Sequence, residues 1–160
     1  MGKVREKVYV VGMGMVSPLG YSVEENWEKL CKGANGIKKI SGFDAGDLDT
    51  EIAGEVPRDH VDERIKKLMS RREYKQMTKN TKMGMLAVEE AISSSGILDS
   101  DIDKTRVATI MGIISTNNNE MDEKYESNYV VKTMPNSVSA WTSIRYGFKG
   151  PNFNVSSACA

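Results

Sequence analysis

Two cysteines and one histidine are the side chains of this sequence best suited to covalent or proton-transfer chemistry, and Cys159 stands in the setting that most invites it. It closes the run Gly150-Pro151-Asn152-Phe153-Asn154-Val155-Ser156-Ser157-Ala158-Cys159-Ala160. Gly150-Pro151 breaks regular structure, Asn152 to Ser156 alternates polar and apolar side chains as a strand does, and the residues beside the sulfur are small enough to let another molecule approach. A thiol at a strand end suits a nucleophile, because the strand fixes its position while the following turn exposes it. It also suits plain filler, since free cysteine is among the most buried residue types, and the residues alone leave both readings open. To attack, the thiol must ionise: with a pKa of about 8.5, only about 3 % is thiolate at pH 7 unless a helix N-terminus or neighbouring cations intervene.

The other candidates are weaker. Cys31, Cys159 and the single histidine, His60, show no metal-ligand spacing and are too few for a zinc site, so neither a metal nor another cofactor is expected. Counting leaves a Cys31–Cys159 disulfide open, although nothing suggests secretion. Gly12-Met13-Gly14-Met15-Val16-Ser17 approximates a dinucleotide-binding glycine motif, but Ser17 replaces the third glycine, Pro18 follows at once, and no acidic residue ends a second strand at the expected distance. Nucleotide binding is therefore not expected.

Several elements must position the thiol. Lys7 to Val16, rich in valine, reads as a buried strand ending in the turn Ser17-Pro18-Leu19-Gly20. Ser22 reads as the N-cap of a helix carrying Val23, Trp27 and Leu30 to about Cys31, which places Cys31 in the core. Ile37 to Leu48 reads as a loop anchored by Ile40 and Phe43, and Glu51 to Val56 as a short strand closed by Pro57. Val61, Ile65, Leu68 and Met69 have helical spacing, with Lys66-Lys67 and Arg71-Arg72 facing solvent and His60 at the surface. Thr81 to Ser95 is a helix capped by Gly96, Asp99 to Lys104 a polar connector, Arg106 to Ile114 a second apolar strand, and Ser115 to Asn128 a polar loop or irregular helix. Asn136 to Tyr146 reads as a helix with Val138, Trp141, Thr142 and Ile144 inward. Strands and helices thus alternate, the pattern of an α/β fold.

The chain has 160 residues, enough for one domain with a real core. Its 22 basic and 22 acidic residues cancel, giving no field to gather nucleic acid or an anionic membrane surface. The N-terminal apolar run, about eight residues, is well short of a membrane span, so a cytoplasmic protein is expected.

The segment ending at Cys159 resembles the nucleophile region of the beta-ketoacyl synthases, the condensing enzymes of fatty-acid and polyketide synthesis. Four further blocks resemble that family in order: Val8 to Gly20, Phe43-Asp44-Ala45 with Ile52 to Val56, Met134-Pro135-Asn136, and Ser143 to Pro151. Together they span essentially the whole chain and are most similar to the elongating synthase II group. The resemblance implies an α/β fold of the thiolase type, with residues 1–160 forming an incomplete N-terminal half of a five-layered α-β-α-β-α body that ends just after the nucleophile position. It makes Cys159 the residue that carries the acyl group and assigns the glycines at 12 and 14 to a tight turn. Ser115 takes the position of an acyl-pocket gate, where fatty-acid members carry a more glycine-rich run. Thr133 and Asn136 fall near the acyl pocket and the dimer interface, so Ser115, Thr133 and Asn136 are implied to bind substrate; Asn136 also suits a helix cap. The implied partners are acyl carrier protein in acyl and malonyl forms, a second copy in a homodimer, and a C-terminal half. The basic cluster is either a solvated face or a docking patch for the acidic carrier protein. The family uses paired histidines and a lysine for decarboxylation, and His60 matches neither histidine. These residues alone are thus expected to lack condensing activity and to associate or be marginally stable; the alternative is a non-catalytic interaction domain or one half of a split enzyme.

Overall fold

The computed structural model of the chain describes residues 7–114 and 129–157. At its centre lies the helix expected after Thr81, here α4 (Lys79–Ser95). Thr78 caps it, its side chain accepting from the Thr81 amide, and Gly96 ends it in the left-handed conformation at φ 64°. α4 packs against both α2 (Arg58–Leu68) and α6 (Ser137–Tyr146). The core is the cluster Val61, Ile65, Met69, Met77, Met85 and Leu86, as the helical spacing of Val61, Ile65 and Met69 predicts. A short helix, α3 (Arg71–Lys75), is fixed by a reciprocal capping box between Ser70 and Glu73. One ion pair is built into this region: Lys82 Nζ lies 2.9 Å from Asp62 Oδ1 and 3.8 Å from the centre of the Tyr74 ring. Burial alone would raise the Asp62 carboxyl, but the bonds from Lys82 and Tyr74 outweigh it and hold the group below its ordinary value.

The N-terminal third departs from the sequence reading in three places. Residues 7–16 form no strand and are not buried: Val8 is 94 % and Val10 82 % exposed. A strand needs a hydrogen-bonded neighbour, and this segment lies against the α4 backbone instead. A Cβ at Gly12 or Gly14 would collide with the Ala91 or Ala87 carbonyl, so the glycines there serve close approach. Glu90 reinforces the contact by accepting from the amides of Met15 and Val23. Second, α1 (Val23–Cys31) has its Ser22 cap, yet Trp27, Leu30 and Cys31 are exposed, so Cys31 is not a core residue. The helix buries Asn26, which is held between the Ser17 hydroxyl and the Ser22 carbonyl; these polar ties rather than an apolar stripe set its rotation. Third, the expected loop begins with a strand, β1 (Ile37–Lys39), paired antiparallel with β2 (Ile52–Gly54). Phe43 is exposed rather than an anchor, and Ala45 is buried in this connection.

The C-terminal part is a strand–helix–strand unit. β3 (Thr109–Gly112) and β4 (Asn152–Val155) pair in parallel, with Thr109 opposite Asn152 and Gly112 opposite Val155. Between them run α5 (Tyr129–Thr133), which the sequence reading did not foresee, and α6. Thr142 is buried and Val138 and Trp141 pack on the core, but Ile144 is 68 % exposed rather than inward. The α/β character holds, although the described strands form two separate pairs.

Candidate functional site

Parallel strands send their carboxyl ends to the same edge, where ligands gather in open α/β folds. Here β3 leaves through Ile113 and Ile114, and β4 through Ser156 and Ser157, with the Ile113 amide donating to the Val155 carbonyl at 3.0 Å. The two segments that lead to Ser115 and to Cys159 therefore start side by side. Ser115 and Cys159 themselves lie outside the described residues, as does the expected loop Ser115 to Asn128.

Beside this edge is a cavity of about 710 Å³ between α4, the end of β3 and the stretch Met134–Val138. Its wall includes Ala87, Val88, Met111, Ile114, Met134 and Val138, and none of the described residues that line it is titratable. Such a space accepts an apolar chain and performs no proton transfer of its own. Thr133 and Asn136 sit next to the wall rather than in it. The half-buried Thr133 hydroxyl donates to the Tyr129 carbonyl within its own helix, at 3.0 Å. Asn136 occupies the N-cap position of α6, but its exposed side chain makes no capping bond, and its carbonyl accepts from the Ala140 amide.

Sequence reasoning missed a polar network that seats β4. Asn152 Nδ2 donates to the Ser139 carbonyl at 2.9 Å and to Ser143 Oγ at 2.7 Å; Ser143 Oγ in turn lies 2.6 Å from Thr109 Oγ1. One serine hydroxyl thus ties α6 to both strands. Ser139 takes part through its backbone carbonyl and the hydroxyl ties join residues far apart in the chain, so no local spacing could have shown the network.

His60 is elsewhere. It is exposed on α2, its ring 5.7 Å from that of Tyr21, and it lines a second hollow of about 750 Å³ that shares no lining residue with the first. Most carboxylates there are engaged: Glu89 binds Arg145 at 3.2 Å and the Tyr146 hydroxyl, Glu25 pairs with Lys29, and Glu90 holds backbone amides. Burial, assisted by Glu89, pushes the Tyr146 hydroxyl up to about 12, so it remains a donor at neutral pH. Lys66, Lys67, Arg71 and Arg72 are all exposed, as expected. No described helix is long and apolar enough to cross a membrane, and no group of three or more potential ligands among the described residues could hold a metal ion.

Comparison with known proteins gives a consistent picture. The family described as "Beta-ketoacyl synthase, N-terminal domain" matches residues 5–160. The 3-oxoacyl-[acyl-carrier-protein] synthase 2 of Vibrio harveyi is 31 % identical over 97 % of this chain and 39 % of its own length. That of Staphylococcus aureus strain N315 is 30 % identical over the same shares. The chain thus spans about 39 % of the length of these relatives. Among solved structures, the ishigamide ketosynthase/chain length factor aligns with a TM-score of 0.68 at 20 % identity, over 92 % of this chain and 43 % of that one. A type II PKS ketosynthase in complex with its acyl-carrier protein aligns with a TM-score of 0.59 at 20 % identity, over 90 % and 40 %. At such identity the structural matches speak to the fold, which is that of the ketosynthases.

Proposed function

The chain belongs to the beta-ketoacyl synthase family, over that family's N-terminal domain, and from this membership we propose that it is the nucleophile-bearing part of a 3-oxoacyl-[acyl-carrier-protein] synthase of fatty-acid or polyketide biosynthesis. The observation that carries the reading is the paired exit of β3 and β4 beside an apolar cavity, Cys159 following β4 in the sequence. In this mechanism the Cys159 thiolate attacks the carbonyl of an acyl thioester, a tetrahedral intermediate forms, and the carrier thiol leaves. A malonyl thioester then loses carbon dioxide; its carbanion attacks the acyl-cysteine carbonyl, the new carbon–carbon bond forms, and the cysteine thiolate departs. The apolar cavity suits the hydrocarbon of the acyl group, with Thr133 and Asn136 next to its wall and Ser115, the residue that follows Ile114 in the sequence, as the substrate-binding positions.

The decarboxylating groups are proposed to come from outside these 160 residues. His60 is the single histidine and belongs to the second hollow, so the chain alone is inactive in this reading. The exposed cations Lys66, Lys67, Arg71 and Arg72 suit docking of an acidic acyl carrier protein. A homodimer in the cytoplasm completes the proposal. A second reading, one half of a split enzyme or a non-catalytic interaction domain, draws on the apolar side chains left exposed, among them Ile110, Phe153 and Val155 on the sheet face away from α6.

The test is a condensation assay with acyl- and malonyl-carrier protein, run on the 160-residue chain and on the longest form of the protein the cell makes. The longest form should release carbon dioxide and yield the 3-oxoacyl product, and the chain alone should yield none. Condensation by the chain alone, or by neither form, contradicts the proposal.

A further inference from the structure

β4 is an unusual strand in what it turns inward. Its pairing with β3 puts Thr109, Met111, Asn152 and Asn154 on the face toward α6, and Ile110, Phe153 and Val155 on the other. Phe153 and Val155 are 48 % and 47 % exposed, so β4 buries no apolar side chain. Register is normally set by burying one face, and here that signal is lacking. A slip of one residue would put Phe153 opposite Thr109, turn Phe153 and Val155 toward α6 and leave Ser143 facing no amide. Such a slip moves everything downstream by about 3.3 Å along the strand.

We propose that Asn152, acting with Ser143 and Thr109, is a positioning residue that pins the register of β4 and so sets where the chain leaves the strand on its way to Cys159. The two asparagines on the face toward α6, Asn152 exposed and Asn154 half-buried, differ in their partners. Asn152 spends its amide on Ser139 and Ser143, whereas both Nδ2 and Oδ1 of Asn154 are buried without a hydrogen-bond partner. An unpaired buried amide stabilises no register, so the choice falls to Asn152. Backbone contacts at the same end act with it: Thr109 donates to the Pro151 carbonyl at 2.8 Å and Gly150 to that of Val107 at 3.1 Å. The consequence for catalysis rests on the family reading above; the pin itself does not.

Hydrogen exchange separates the two asparagines. In Asn152→Ala the amides of Thr109 and Ile113, which hold the two ends of the β3–β4 ladder, should exchange about tenfold faster, the loss expected for a net hydrogen bond, while Asn154→Ala should leave them within about twofold. Ser143→Ala should copy Asn152→Ala, and Ser143→Thr, which keeps the hydroxyl, should restore slow exchange. Equal effects of the two asparagine variants, or no rescue by threonine, overturn the pin. In the longest form of the protein, Asn152→Ala should lower kcat for Cys159 acylation about tenfold with KM little changed, as expected when only transition-state positioning is lost. A rise in KM at constant kcat overturns the positioning role. If the unaltered protein is not acylated at Cys159, the family reading fails and the exchange pattern alone decides the pin.

Discussion

The helical layer and the parallel strand pair are held together by opposite means. Around α4 the fully buried side chains Val61, Ile65 and Met85 supply cohesion, and the charged pair Lys82–Asp62 is tucked against them. Between β3, α6 and β4 the ties are hydroxyls and amides, and Ile110, Phe153 and Val155 point away. Burial is tolerant of small shifts, since it is non-directional. Hydrogen bonds are not, which suits the role proposed for this region, to deliver a reactive group to a defined place.

The largest expected effect lies at the end of the strand pair. Cys159→Ala should lower condensation by the longest form at least about 10³-fold, as loss of a nucleophile does, while leaving the melting temperature unchanged. Next comes the helical layer: Met85→Ala or Ile65→Ala should cost about 2–5 kcal/mol of stability in urea titrations. Phe153→Ala, at a half-exposed site, should cost under about 1 kcal/mol. If the strand variant proved as damaging as the core variants, the contrast between the two regions would collapse.

The ion pair gives a smaller, pH-dependent effect. Asp62→Ala strands the Lys82 ammonium, whose side chain is only 8 % exposed, and should cost roughly 2–3 kcal/mol at pH 7. Because the folded-state value of Asp62 is depressed, its contribution is present above the ordinary carboxylate range and is lost as pH falls through the depressed value. Unaltered protein should therefore lose stability below about pH 4 more steeply than Asp62→Ala. Parallel acid profiles would remove this pair from the account. The smallest effect is at the surface: Arg71→Glu with Arg72→Glu should slow association with acyl carrier protein about tenfold at low salt, fade near 0.5 M salt, and leave stability within about 0.5 kcal/mol.

Legibility in the sequence follows the same division. The helical layer could be read because Val61, Ile65 and Met69 repeat at the period of a helix, and because Ser22 and Gly96 mark ends by side-chain bonding and backbone conformation. An apolar run located β3 and alternation located β4; helical periodicity misled about faces. In α1 it pointed Trp27, Leu30 and Cys31 inward, where the structure buries Asn26, since pattern alone cannot show that a polar residue has found partners. Val8 to Val16 has strand composition, yet a strand is a relation between two segments and its composition names no neighbour. Cys159, Ser115, Thr133 and Asn136 were named from resemblance, not from any local pattern; the bridge from Thr109 through Ser143 to Asn152 joins residues 34 and 9 positions apart and leaves no local trace.

The central claim, that the strand pair delivers the working thiol, is tested most directly by mapping where an acyl group lands. The longest form of the protein would be incubated with acyl-carrier protein and its peptides weighed, with exposed Cys31 on α1 as the internal control. The account predicts the acyl mass on the peptide containing Cys159 and none on that containing Cys31. Acylation of Cys31, equal labelling of both, or no label at all would contradict it.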